Sequence, residues 1–168
     1  CYIRTLADSL NLRERLQRAK SMVVVGGGFI GLEAGAMACK MGKKVSVVEG
    51  SERLMKRAIS PDLSEYYLSL HREKGVDVRV GCEVSHLEQH QHGLTVVPKI
   101  GQSITADIVL VGIGVVPNSE IAESAGLECA NGILVNEKCL TSDANIVAAG
   151  DCTMHQNQFL QKTLRLES

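Results

Sequence analysis

The feature that most constrains this chain is a run of glycines set between a buried-strand pattern and a helix pattern. Met22-Val23-Val24-Val25 is a short β-branched run, as expected of a strand covered on both faces of a parallel sheet. Gly26-Gly27-Gly28-Phe29-Ile30-Gly31 follows directly, and Phe29 to Met41 reads as a helix closed by Gly42. The spacing is G-x-G-x-x-G, and each motif glycine has a mechanical task. Gly26 permits a tight turn, Gly28 lets the backbone approach a pyrophosphate, and Gly31 lets the helix pack closely on the strand. Phe29 and Ile30 open the helix, where first-turn N–H groups and the helix dipole attract an anion. A glycine motif alone is weak evidence. Here a second strand, Val45 to Val48, ends in Glu49, 18 residues beyond Gly31, where an acid accepts ribose 2′ and 3′ hydroxyls. Such an acid repels a 2′-phosphate, so NADH is expected to bind more tightly than NADPH. Arg53 and Arg57, just downstream, soften that preference. Glu33, two residues past the last glycine, is expected on the first helical turn, where the dipole alone would also favour an acid.

The surrounding pattern supports a nucleotide fold. Thr5 with Asp8 three residues on forms a capping-box signature for a helix from Leu6 to about Lys20, which reads as a docking or linking element. Ser60-Pro61 opens a further helix ended by Gly75, and Val76 to Val80 reads as a third strand. Strand, helix, strand, helix, strand is the βαβαβ mononucleotide unit. From Glu83 to Ala106 helical periodicity disappears, and short alternating segments predict antiparallel strands. Asp107 to Gly112 reads as another buried strand and Ser119 to Ala125 as a short helix. Small strands are expected around Ile133 to Val135 and Ile146 to Ala149, followed by a polar stretch from Thr153. The fold class this predicts is α/β: a Rossmann-like, three-layer NAD(P)-binding domain with a central parallel sheet and an antiparallel β-meander. The expected organisation is a linker helix over 1–20, an NADH-binding domain over 21–118 and a return segment over 119–168.

Composition closes off other classes. Eighteen Lys and Arg against nineteen Asp and Glu leave a net charge of −1, so no basic surface favours nucleic acid. The 3% aromatic content and absence of Trp argue the same way against base-stacking platforms. Ile108 to Val116 is far short of the ~20 apolar residues of a membrane span, so no membrane partner is expected. No signal-peptide pattern opens the chain, and a start at Cys1 rather than Met suggests a non-native N-terminus. The six cysteines are scattered without a CxxC, which predicts reduced thiols and a cytoplasmic setting. Cys39 and Cys152 read as packed thiols. His86, His90 and His92 cluster around a turn, but without matched ligand spacing they read as a solvated hairpin rather than a metal site.

Three segments carry a family resemblance: Gly26 to Glu33 (GGGFIGLE), Val111 to Asn118 (VGIGVVPN) and Thr141 to Cys152 (TSDANIVAAGDC). Together they resemble the FAD-dependent ferredoxin reductases, the rubredoxin- and putidaredoxin-reductase group of the pyridine nucleotide–disulfide oxidoreductase superfamily. Arg4-Thr5-Leu6 and Arg165-Leu166-Glu167-Ser168 also match runs seen there. The resemblance implies an NADH domain inserted into an FAD domain, with an iron–sulfur protein as electron acceptor. It implies that Glu33 faces the nicotinamide end of the cofactor, that Gly112 and Gly114 let a strand-end turn approach NADH, and that Asp151 accepts hydroxyls of the flavin ribityl chain. The missing CxxC agrees with a route from NADH to FAD as hydride and onward by single electrons. A nitrite reductase flavoprotein subunit, an NADH oxidase and an apoptosis-inducing-factor-like reductase share such motifs. A non-catalytic NAD-binding module remains a rival of another class, although it has no use for TSDANIVAAGDC. Without a second G-x-G-x-x-G for FAD, the chain alone is expected to be inactive and colourless yet to bind NADH.

Overall fold

A computed structural model describes residues 1–91 and 93–165. His92, and Leu166, Glu167 and Ser168 of the closing run, lie outside the described residues. The chain divides into two compact units, Cys1–Gly114 and a second beginning at Val115.

The first unit opens with α1, Leu6–Arg18, whose Thr5–Asp8 capping box is formed in full. Leu12, Leu16 and Ala19 are buried in the same cluster as the sheet residues Met22 and Val24. The helix read as a linker is therefore packed into this unit's core. Next come β1 (Ser21–Val25), α2 (Phe29–Lys40), β2 (Lys44–Val48), α3 (Pro61–Glu73) and β3 (Asp77–Arg79). A meander follows, β4 (Val84–His90), β5 (Gly93–Pro98) and β6 (Ile104–Ala106), and then β7 (Ile108–Val111). β1, β2, β3 and β7 form one parallel sheet in the order β3-β2-β1-β7, the meander an antiparallel sheet in the order β4-β5-β6.

The period-2 alternation of strand side chains explains the layering. Met22, Val24, Val45, Val47, Ile108 and Leu110 share a cluster with Leu32 of α2 and Leu68 of α3. Val23, Val48 and Val109, from the alternate positions, share a second cluster with Val96 and Ala106 of the meander. A central strand thus needs apolar residues on both faces, hence the unbroken valines of β1. The result is helices on one face of the parallel sheet and the antiparallel meander on the other.

The second unit contains α4 (Glu120–Ser124), β8 (Cys129–Ala130), β9 (Gly132–Val135), β10 (Thr153–Asn157) and β11 (Lys162–Leu164). Its sheet runs β11-β10-β9-β8. Here the sequence expectation needs correction. Ile146 to Ala149 is not a strand; it makes one isolated bridge, Leu140 to Val147, and Val147 is exposed. The strand lies further on, where Thr153 pairs in parallel with Ile133 and Met154 with Leu134. Polar composition hid it, since among Thr-Met-His-Gln-Asn only Thr153 is buried.

Candidate functional site

The site is built at the carboxyl end of the parallel sheet, within the first unit. β1 ends at Val25, and Gly26 turns the chain with φ at 109°. The Gly26 N–H donates to the Val48 carbonyl at 2.8 Å, and the Gly112 N–H donates to the Val25 carbonyl at 2.8 Å. The ends of β1, β2 and β7 are thereby laced around one turn. A Cβ on Gly26 would stand 2.3 Å from the Gly112 carbonyl oxygen, and one on Gly31 would stand 2.2 Å from the Gly26 oxygen. Both residues are glycine because backbone passes where a side chain would begin.

Gly28 is different. Its φ is −85°, which any residue can adopt, and a Cβ added there would meet nothing within 4 Å. Packing gives no reason for glycine at this position, and the space beside it is open. Gly28 is also the N-cap of α2, where no side chain caps the helix. Phe29 and Ile30 are the exposed first residues of α2, with Gly31 buried behind them. Their amides belong to the first turn, which has no intrahelical acceptors, and carry the positive end of the helix dipole.

Glu49, half-buried at the end of β2, reaches this turn. Its Oε2 accepts the Gly27 N–H at 2.6 Å and its Oε1 accepts the Ser51 N–H at 2.7 Å. Each carboxylate oxygen keeps a further acceptor position, so the clasp does not exhaust the group. The expected ribose acceptor is therefore also a part of the turn, a role its spacing did not reveal. A Cβ on Gly27 would press on Leu54 at 2.6 Å and on Glu49 at 3.1 Å, so this glycine is constrained by packing as Gly26 is and Gly28 is not.

The other residues singled out by sequence are distributed unevenly. Glu33 is exposed, but it stands past the first turn of α2, which contains no acid. That corrects the first-turn reading; α2 begins at Phe29, so Glu33 is its fifth residue. Gly114 has φ at 147°, and a Cβ there would lie 3.9 Å from the Arg57 guanidinium, so Arg57 and the strand-end turn approach one another. Gly112 has no such strain; its contribution is a carbonyl that excludes any side chain on Gly26. Arg53 does not face outward as a charge to soften phosphate repulsion. Its guanidinium donates to the carbonyls of Ile59 and Lys56 and to the Ser64 hydroxyl. Asp151 belongs to the second unit, exposed in the turn that leads into β10 rather than at a strand end. His86 and His90 lie on β4, each with Nε2 toward Glu88, at 3.2 and 3.4 Å. The Cys39 thiol, half-buried, donates to the Lys74 carbonyl at 3.2 Å.

A parallel sheet ordered 3-2-1 and then β7, with a glycine turn at the carboxyl end of its first strand, defines a Rossmann-like α/β protein. The chain belongs to the pyridine nucleotide-disulphide oxidoreductase family, which matches residues 1–165. It is similar to putidaredoxin reductase of Pseudomonas putida, 41% identical over 99% of this chain and 40% of that protein. It is likewise similar to a rubredoxin-NAD(+) reductase of Ectopseudomonas oleovorans, 37% identical over 100% of this chain and 44% of that protein. The crystal structure of a ferredoxin reductase from Rhodopseudomonas palustris superposes with a TM-score of 0.92 at 40% identity, over 99% of this chain and 42% of that one. The chain thus spans about two fifths of the length of the relatives it matches. Among the described residues, no helix is long and apolar enough to cross a membrane.

Proposed function

We propose that this chain is the NADH-binding part of a flavoprotein reductase whose electrons pass from NADH to FAD and then to an iron–sulfur protein such as a ferredoxin or rubredoxin. The relatives named putidaredoxin reductase and rubredoxin-NAD(+) reductase support that reading. When bound, NADH supplies a hydride and FAD converts the pair of electrons into single-electron steps, and this chain's contribution is to bind and orient.

The residues present fit a dinucleotide. The open space at Gly28 and the uncapped amides of Phe29 and Ile30 would take the pyrophosphate. Glu49 would accept the ribose hydroxyls while keeping its hold on Gly27, and its charge disfavours a 2′-phosphate. Glu33, Gly112 and Gly114 would line the nicotinamide end, with Arg57 beside Gly114 as a cation for the dinucleotide's charge. In the second unit, the exposed Asp151 carboxylate suits the hydroxyl groups of an FAD ribityl chain.

The observation that carries this reading is the convergence, on one turn, of an open helix N-terminus and an acid already hydrogen-bonded to that turn. Calorimetry of the 168-residue chain with NADH and with NADPH tests it. Saturable binding of NADH, tighter than NADPH, is the expected result; no binding, or the reverse order, sinks the reading.

A further inference from the structure

The loop between β2 and α3 contains a side-chain network aimed at the glycine turn, and Arg53 is its centre. One guanidinium nitrogen, Nη1, donates to the Ile59 carbonyl at 2.9 Å and to the Ser64 hydroxyl at 2.8 Å. The other, Nη2, donates to the Lys56 carbonyl at 2.8 Å. Ser64 is 2% exposed, and its hydroxyl in turn donates to the Leu54 carbonyl at 2.6 Å. One planar cation therefore closes the loop on itself and ties it to the first turn of α3. Arginine suits this because its fork presents several donors in fixed directions, which an ammonium cannot do.

What the network holds is a strap across the nucleotide turn. Leu54 is fully buried, with its Cδ2 only 2.6 Å from where a Gly27 Cβ would stand. The Met55 N–H donates to the Gly27 carbonyl at 3.0 Å. Met55 does so with φ at 48°, a left-handed conformation that a side-chain-bearing residue keeps only when its surroundings enforce it. Gly27 is thus gripped from two sides, its carbonyl by Met55 and its N–H by Glu49.

We propose that Arg53 is a positioning residue for dinucleotide binding, acting through Ser64, Leu54 and Met55 to fix the Gly27 peptide and with it the Glu49 carboxylate. This rests on the dinucleotide reading of the site. Arg53 touches no cofactor in this account; it sets the geometry of the groups that do. The loss should fall on the adenosine half, because Glu49 is the ribose acceptor.

The test uses the 168-residue chain with NADH and with ADP-ribose, in the wild type, Arg53→Gln, Arg53→Lys and Ser64→Ala. Arg53→Gln is expected to weaken both ligands about 10-fold, the lower end of the scale of one charged hydrogen bond, because the effect reaches the ligand only through the turn. Ser64→Ala, which keeps the Ile59 and Lys56 contacts, should weaken both about 3-fold, and Arg53→Lys should recover part of the deficit. Amide exchange supplies a readout that a general loss of stability would not give. Gly27 and Met55 should exchange faster in Arg53→Gln, while Val23 and Val24 of β1 are unchanged. A folded Arg53→Gln chain with wild-type affinity and wild-type exchange at Gly27 overturns the proposal alone. A wild-type chain that binds neither ligand overturns the dinucleotide reading and the proposal with it.

Discussion

In the first unit, α1 and α3 each begin with a side-chain cap on a first-turn amide, and α2 has none. Thr5 and Asp8 cap α1 reciprocally, the Asp8 N–H donating to the Thr5 hydroxyl and the Thr5 N–H to the Asp8 carboxylate at 2.8 Å. Ser60 caps α3, with Pro61 in its first turn. α2 starts at a glycine, without a side-chain cap and without an acid in its first turn. A cap contributes about 1 kcal/mol, so its omission at one helix of three is a stability forgone. The uncapped start is the one beside the glycine turn and Glu49, where an anion would complete it.

The largest effect expected from disturbing this contrast is at Gly26. Gly26→Ala puts a Cβ 2.3 Å from the Gly112 oxygen at a φ of 109°, which should cost about 3 kcal/mol or more. Denaturant unfolding should reveal a large drop with NADH binding lost alongside; a variant of normal stability that still binds NADH would break the account of the turn. Next is Glu49→Gln, which should weaken NADH by roughly 10- to 100-fold, the scale of a charged hydrogen bond, and raise the ratio of NADPH to NADH affinity. An unchanged ratio in calorimetry would remove Glu49 from the ribose site.

At the capped end the effects are smaller and confined to folding. Thr5→Ala should cost about 1 kcal/mol in a thermal or denaturant melt and leave NADH affinity as it is. Equal loss of NADH binding would mean the two helix starts are not separate in function. The smallest effect is acidic. Asp8 is held below its ordinary carboxylate range first by the Thr5 N–H, then by the Thr5 hydroxyl and the Arg4 N–H. A lowered folded value gives stability that is present above the unfolded value, near pH 4, and is lost as pH falls through the folded one. Asp107 acts in the same direction, its carboxyl lowered chiefly by the N–H groups of Lys20 and Ser21 at the start of β1. Asp8→Asn should flatten the acid limb of a melting-temperature profile, and an unaltered limb would contradict the capping argument.

What could be read from sequence was what periodicity and spacing encode. The near-continuous apolar runs Met22 to Val25, Val45 to Val48 and Ile108 to Val111 announced a sheet covered on both faces, and the G-x-G-x-x-G spacing announced the turn. The meander was legible because short alternating segments, with Gly93 and Gly101 between them, replaced helical spacing after Glu83. β10 was not legible, since Thr153–Asn157 is a polar strand whose pairing with Ile133 and Met154's pairing with Leu134 depend on chain distant in sequence. Nor was the Arg53 network, because the loop from Ser51 to Ser60 has no period and its geometry turns on Met55 at φ 48°. The visible trace there was Leu54-Met55, an apolar pair inside a charged loop that had to be buried against something. Glu49 was found for its charge and position, while its bond to Gly27 needed the folded turn.

The most direct measurement gives α2 the cap it lacks. Gly28→Asp meets no steric obstacle at φ −85°, and adds a capping carboxylate at the positive end of the helix dipole. The account predicts a melt that is unchanged or raised by a few tenths of a kcal/mol, together with NADH affinity reduced about 100-fold or more by the filled space and the added charge. Wild-type NADH affinity in that variant would contradict it, and the open start of α2 would then not be where the dinucleotide binds.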